Sequence, residues 1–271
     1  MLLRRAIPPE LDAWNLREGA PSGHASLKRQ VLRRSFERLG RTRGDAYLKL
    51  GGPFSLQGNN DTRLVEYPWA FSATALGEGV EVVEIGGALS GLQFVLSRTG
   101  CHVVNVDPGE DDVSYWALTL PLDPTTMARL NRVFGTDVEL RKTVLQDAGI
   151  ADRSVDRVFS ISAIEHIPAE ELPDLARHIA RILRPGGQCV LTIDLFLDLA
   201  PFTTKQQNFY GRNADVRAFV EDSGLELVVG APEELHGYDE FDPQSILSRL
   251  GEFFIGSGYP VCAQACVLEK H

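Results

Sequence analysis

Two carboxylates, Glu84 and Asp107, each sit at the end of a short apolar run: Val82-Val83-Glu84-Ile85-Gly86-Gly87-Ala88-Leu89-Ser90-Gly91, then Val103-Val104-Asn105-Val106-Asp107. Apolar runs of this length, bounded by small residues, predict buried strands. A turn without bulky side chains lets the backbone approach a ligand closely. The helix expected from Gln93 to Ser97 points its unpaired N–H groups at the same place. An acid closing the second strand can take the two hydroxyls of a ribose, so the layout is that of a nucleoside-binding βαβ unit. The third small position is Ser90, however, and the dinucleotide pattern G-x-G-x-x-G is not met. Glu84, just ahead of the turn, would repel a pyrophosphate. A ligand with a cationic amino-acid moiety and no phosphate suits it better.

Further segments follow in order: Gln146-Asp147-Ala148, Ser154-Val155-Asp156-Arg157-Val158-Phe159-Ser160, Ala163-Ile164-Glu165-His166-Ile167, and Ile179-Ala180-Arg181-Ile182-Leu183-Arg184-Pro185-Gly186-Gly187 leading into Gln188–Ile193. With the glycine turn, these resemble the class I S-adenosylmethionine-dependent methyltransferase family over roughly residues 80 to 230. That family's first motif reads acid-x-Gly-x-Gly-x-Gly. Here Ala88 and Ser90 stand at the second and third glycine positions, each adding a Cβ.

The resemblance implies S-adenosylmethionine as cofactor. It places Gly86, Gly87, Ala88 and Ser90 in the cofactor loop, with Glu84 orienting that loop and facing the amino-acid end. Asp107 would hold the ribose, or cap the turn at Pro108-Gly109. Asp147 and Ala148 would meet the adenine amine, or form a plain turn. His166, after the fourth strand, is either a general base or a residue that shapes the pocket; an unperturbed imidazole suits proton abstraction near neutrality. His236, in a late insertion, is a second candidate for catalysis or a solvated loop residue. Tyr67 and Trp69 either close over the cofactor or pack the core of a cap, and Arg63 could meet the cofactor's carboxylate. Phe209, Tyr210 and Arg212 either line the acceptor site or pack a loop. No metal site is expected: Asp194 could offer one ligand after the fifth strand, but Ser160-Ile161-Ser162 offers none after the fourth.

The chain has 271 residues, 44% of them apolar, enough for a large core. Four cysteines do not make a disulfide framework, and Cys262 and Cys266 share one face of an expected strand. No apolar run reaches membrane-spanning length and no secretory leader is evident, so a cytoplasmic protein is expected. A net charge of −10 argues against a nucleic-acid partner. Residues 1–50 nevertheless hold 11 Lys/Arg against 5 Asp/Glu. This basic stretch could touch RNA, anionic lipid or a partner; the expectation is a solvated face packed on the acidic body, with no membrane contact.

The elements needed to position these groups alternate strand and helix, which predicts a Rossmann-like, seven-stranded, mostly parallel α/β sheet with helices on both faces. Strands are expected near 80–85, 102–107, 138–145, 155–161, 188–194, 225–230 and 261–269. Helices are expected at 91–99, 123–134, 169–183 and 213–223. Residues 1–25 read as loosely ordered, 26–39 as an amphipathic helix with Leu27, Val31, Leu32, Phe36 and Leu39 as its apolar stripe, and 63–76 as a helix broken near Pro68. Residues 1–76 form an N-terminal helical cap; 77–271 form the main domain, with an acceptor-site insertion around 231–260. The expected function is methyl transfer to an oxygen or nitrogen of a small molecule, in specialised metabolism, by in-line displacement with alignment of the reactants and a histidine base. The alternatives are a methyltransferase acting on a macromolecule, a non-catalytic cofactor-binding protein and, least favoured, a nicotinamide dehydrogenase. A monomer or homodimer is expected.

Overall fold

The computed structural model describes residues 1–40, 44–109 and 120–271. Seven strands form one sheet: β1 Glu81–Ile85, β2 His102–Val106, β3 Val138–Arg141, β4 Val155–Ile161, β5 Leu183–Phe196, β6 Glu226–Val229 and β7 Val261–Glu269. Their order is β3-β2-β1-β4-β5-β7-β6. Strands β1 to β5 pair in parallel, and β7 runs antiparallel between β5 and β6. This is the expected Rossmann-like architecture. The chain moves outward from β1 to β3 and returns to β4 on the other side of β1. That reversal leaves a crevice beyond the carboxyl ends of β1 and β4, where open α/β sheets bind ligands.

Helices α1 Pro9–Glu18, α2 Leu27–Arg38, α3 Asp45–Gly51 and α4 Arg63–Ser72 precede the sheet. Helices α5 Gly91–Arg98, α6 Pro124–Phe134, α7 Leu172–Ile182, α8 Val216–Ser223 and α9 Pro243–Ser248 follow within and after it. Neighbouring residues on a strand face opposite sides, so Val82 joins the core beneath α4 and α5 while Val83 joins the one beneath α7 and α8. Helix α7 buries Leu172, Leu175, Ala176, Ile179 and Ile182, an apolar stripe at helical spacing. All four cysteines are buried and unpaired. No helix of the described residues is long and apolar enough to cross a membrane.

Three expectations are corrected. Residues 1–25 are not loose: the Leu3 N–H donates to Ala263 O at 2.9 Å and the Ala265 N–H to Met1 O at 2.7 Å. Strand β6 pairs only with the last residues of β7, and the N-terminal residues take the open half of that edge while burying Leu2 and Leu3. The second correction is at Pro68, which lies inside an unbroken α4. A proline there leaves the carbonyl four residues back, that of Leu64, without its helical donor. The Asn15 side-chain amide of α1 supplies one at 2.7 Å. Replacing Asn15 by alanine is expected to leave that carbonyl unsatisfied and cost about 1–3 kcal/mol, measured by urea denaturation; an unchanged midpoint would contradict this role. The third is α2, capped by Ser26, whose apolar stripe faces solvent rather than the body: Leu27, Val31, Leu32 and Leu39 are exposed.

Candidate active site

The turn after β1 is held from all sides. Gly86 has φ +68°, and a Cβ there would lie 2.7 Å from the Ala163 Cβ. A Cβ on Gly87 would crowd the carboxyl carbon of Glu84 at 3.0 Å and Asn105 Oδ1 at 2.9 Å. Ala88 itself is left-handed, φ +44°, a strained conformation for a residue with a Cβ. Its N–H donates to Asp107 Oδ2 at 2.7 Å, and its carbonyl accepts from Asn105 Nδ2 at 2.8 Å and Gln93 Nε2 at 3.2 Å. The Leu89 N–H donates to Gln57 Oε1 of the cap at 3.1 Å. Asp107 Oδ1 accepts from the Gly109 N–H at 2.7 Å, so this carboxylate caps its own turn and braces the glycine turn together, with lone pairs left for a ligand.

Ser90, which replaces the motif's third glycine, has a task the sequence did not disclose. Its hydroxyl donates to Glu84 Oε1 at 2.6 Å. Glu84 is buried, and its Oε2 has no hydrogen-bond partner. Burial pushes its pKa up to about 7, the Ser90 hydrogen bond works against that rise, and the Asp107 charge adds to it. Restoring glycine with Ser90→Gly is therefore expected to destabilise the protein by about 1–2 kcal/mol, although it matches the motif better; a gain in melting temperature would contradict this.

These groups open onto a cavity of about 490 Å³. Its first wall is Glu84 to Ala88, Ser90 and Val106 to Gly109. The β3 side adds Lys142, Thr143, Leu145 and Gln146; the β4 side adds Ser162, Ala163, His166, Pro168 and Glu171; the cap adds Gln57, Gly58, Arg63 and Tyr67. The fold thus brings Glu84, Gly86, Gly87, Ala88, Ser90, Asp107, Arg63, Tyr67 and His166 to one place. It does not bring the rest. Asp147 is exposed and lies outside the lining, where Leu145 and Gln146 stand instead. Ala148 is buried beside it, its carbonyl accepting from Arg141. His236 is away from the cavity: its ring bonds the Ala214 carbonyl at 3.0 Å and packs edge-on against Phe241. Residues 231–260 supply no lining; Glu234 of this segment instead accepts from the Leu2 N–H at 2.8 Å and pairs with Arg4 at 2.9 Å. Trp69 is a core residue. Tyr210 stacks on Tyr259 at 4.0 Å, and Arg212 donates to the Ile167 carbonyl, so neither faces the cavity.

Behind Arg63 lies a buried acidic network. The guanidinium pairs with Glu66 and donates to Ser162 Oγ at 2.7 Å. Ser162 Oγ in turn contacts Glu66 Oε1 at 2.8 Å and Asp194 Oδ1 at 3.1 Å, and the Tyr259 hydroxyl donates to Asp194 Oδ2 at 3.0 Å. Glu165 Oε1 accepts from the Asp194 N–H at 3.3 Å. Burial opposes the Arg63 charge, but Glu66 beside it overcomes that and holds it firmly charged. Burial pushes Asp194 and Glu165 upward, with repulsion from Glu66 adding to the rise at Asp194 and repulsion from Asp194 adding to it at Glu165. Ser162, like Ala88, is left-handed, at φ +42°, so backbone strain sits on both sides of the cavity. His166 is reached by solvent from the cavity mouth yet ringed by protein. That desolvation, with the Arg63 charge, lowers its pKa to about 4 against a backbone hydrogen bond with Tyr210. The imidazole is neutral at pH 7 and a weaker base than the sequence led one to expect. Among the described residues no group of three or more His, Cys, Asp or Glu is arranged to hold a metal.

Residues 83–191 match the family described as a methyltransferase domain. The ubiquinone biosynthesis O-methyltransferase of Hahella chejuensis is 28% identical over 111 residues, 40% of this chain and 41% of that protein. That of Rhizobium etli is 27% identical over 110 residues, 41% of this chain and 39% of that protein. The matched region is thus about two-fifths of the length of these curated relatives. Among solved structures, the cyclase SpnF superposes with a TM-score of 0.53 at 13% identity, covering 88% of this chain and 95% of that one. An S-adenosylmethionine-dependent methyltransferase from Mesorhizobium loti superposes at 0.51 and 14% identity, covering 76% and 97%. The sheet with its antiparallel β7 and the glycine turn define a Rossmann-like fold, which these solved structures share. The family match and the curated relatives agree on a methyltransferase domain within the chain, matched over residues 83–191.

Proposed function

We propose that this protein binds S-adenosylmethionine in the 490 Å³ cavity and transfers its methyl group to an oxygen or nitrogen of a small molecule. The observation that carries the reading is the unpartnered, buried Glu84 Oε2 on the cavity wall. A buried acceptor without a partner costs free energy, and a cationic ammonium group would relieve it. Asp107 takes the ribose hydroxyls with the lone pairs its two backbone bonds leave. Leu145 and Gln146 stand where the adenine would sit, in place of the expected Asp147. Arg63, charged and on the cavity wall, meets the donor's carboxylate, and Tyr67 closes the cap side.

The methyl of a sulfonium is already activated, so the chain's task is to align acceptor, carbon and sulfur, which supplies about 7 kcal/mol or more of barrier reduction in well-oriented cases. His166 and Glu171 flank the remaining wall, with Ala163, Pro168 and Leu175 between them as apolar surface. The neutral His166 ring accepts a proton from an acceptor hydroxyl only weakly at pH 7, so the reading favours an acceptor that ionises readily, such as a phenol or catechol. The two O-methyltransferase relatives support an oxygen acceptor. The test is transfer of labelled methyl from S-adenosylmethionine to a panel of phenols, catechols and amines. Labelled phenolic product is expected; label found only on added RNA or protein would replace this reading with a macromolecular acceptor.

Glu84 gives the reading a pH signature. Ionised glutamate attracts the ammonium and protonated glutamate does not, so affinity for S-adenosylhomocysteine is expected to rise about tenfold from pH 6 to pH 8, and Glu84→Gln to flatten that rise. Stability runs the other way. The unfolded glutamate ionises near 4.5 while the folded one keeps its proton to about 7, so ligand-free protein loses stability as pH climbs through that window. Glu84→Gln should therefore raise the melting temperature at pH 8 while weakening the ligand. A variant whose binding kept the wild-type pH profile would remove Glu84 from the site.

A further inference from the structure

Helix α2 is built inside out. Arg29, Arg33 and Phe36 share the side turned toward the body, where Arg33 donates to the Tyr47 hydroxyl at 3.2 Å and lies 5.1 Å from that ring's centroid. The opposite side carries Leu27 and Val31, and Leu32 lies on the flank beside Phe36, with Leu39 at the C-cap; Leu27, Val31, Leu32 and Leu39 are 78%, 55%, 40% and 68% exposed. The exposed cations Lys28, Arg34 and Arg38 lie among them. Amphipathic helices of globular proteins turn the apolar stripe inward. This one turns half-buried arginines toward the body and presents leucines and valine, studded with positive charge, to the outside.

A covering for such a face must offer an apolar interior and negative charge together. A second copy docked by two-fold symmetry would set the same three cations against one another, which is repulsive. The surface of an anionic bilayer offers both. We propose that α2 seats on such a membrane surface: Leu27, Val31, Leu32 and Leu39 enter the boundary of the acyl region, and Lys28, Arg34 and Arg38 reach up to the headgroup phosphates. The body beyond residue 50, with 16 Lys/Arg against 32 Asp/Glu, is repelled by the same lipids and stays in water, so the contact is confined to this helix. Helix α2 packs on α3, which leads through Pro53–Ser55 to Gln57 and Gly58 of the cavity wall; membrane contact and cavity therefore share one cap. This is surface attachment, the anionic-lipid contact that the basic stretch of residues 1–50 leaves open, and not a membrane span.

The test is flotation of the full chain with vesicles of phosphatidylcholine alone and of an equal mixture of phosphatidylcholine and phosphatidylglycerol. Binding is expected on the mixed vesicles, weakening as salt is raised. The triple variant Lys28→Gln, Arg34→Gln, Arg38→Gln should lower it about a hundredfold, three surface cations at the usual strength each. Val31→Ser with Leu32→Ser should lower it by about tenfold or more. All five positions are exposed, and an unchanged far-ultraviolet circular dichroism spectrum and thermal transition would confirm folding. No flotation of the wild type, equal flotation on neutral vesicles, or flotation untouched by both variants would overturn the proposal. So would a dimer in solution that the serine variant dissociates, since α2 would then be covered by a second copy.

Discussion

Asp107→Ala is expected to abolish measurable S-adenosylhomocysteine binding, a loss of at least a hundredfold, and to lower stability by about 2–4 kcal/mol. The two effects have separate origins. The carboxylate accepts from the Ala88 and Gly109 backbones at 2.7 Å each; hydrogen bonds to a charged acceptor are the stronger kind, and alanine leaves both N–H groups at the cavity without it. The loss falls on Ala88, a residue already held against its preference at φ +44°. The ribose contact is the second origin. Asp107→Asn separates them: its side-chain oxygen keeps one backbone bond and most of the fold, while the lost charge still weakens the ligand. Urea denaturation and calorimetry on both variants check the pair. If Asp107→Asn bound as tightly as the wild type, the carboxylate would be a structural brace alone.

The second large effect is expected at Arg63. It is the cation paired with Glu66 inside a network that also buries Asp194 and Glu165. Removing one partner of a buried ion pair leaves an uncompensated charge and costs about 3–5 kcal/mol. Arg63→Met keeps much of the volume and removes the charge, so it should destabilise strongly at pH 8. The penalty should shrink at pH 5, because Asp194, whose pKa is raised to about 6, is then protonated and the network left behind carries less negative charge. Adding Glu66→Gln to Arg63→Met should recover much of the stability at pH 8 without restoring cofactor affinity, if Arg63 also meets the donor's carboxylate. Thermal denaturation at the two pH values, followed by calorimetry on the double variant, checks both halves; recovery of full affinity in the double variant would remove Arg63 from the binding site.

The alternating strands and helices were legible because buried parallel strands and the α7 stripe leave strong periodic signals. Strands β4 and β7 lie at Val155–Ile161 and Val261–Glu269, where apolar runs end at turn residues. What stayed hidden was settled by partners distant in sequence. Pro68 signals a break, yet Asn15, far upstream, repairs the ladder. Residues 1–3 carry no strand signature of their own; the unpaired half of β7 pairs with them. The stripe of α2 predicted burial because periodicity reports amphipathicity and not which face is covered.

At the site, the glycine turn and Asp107 were legible from residue types forced by close backbone approach. Gln57, Gln93 and Asn105 were not, because ordinary amides signal nothing until the fold aims them at the turn. Asp147 was an expected contact from loop order alone, and the turn at Leu145–Asp147 puts Gln146, not the acid, on the cavity wall. His236 and residues 231–260 were taken for acceptor contacts by their place after β6. They are occupied instead with anchoring the N-terminal residues through Glu234, and with the Ala214 carbonyl.

The central claim is that this cavity holds S-adenosylmethionine, and calorimetric titration of the wild-type chain with S-adenosylhomocysteine at pH 8 tests it most directly. One-to-one binding in the micromolar range, displaced by S-adenosylmethionine, is the predicted result. A folded protein that gives no binding heat at several temperatures and no thermal shift with either compound would contradict it.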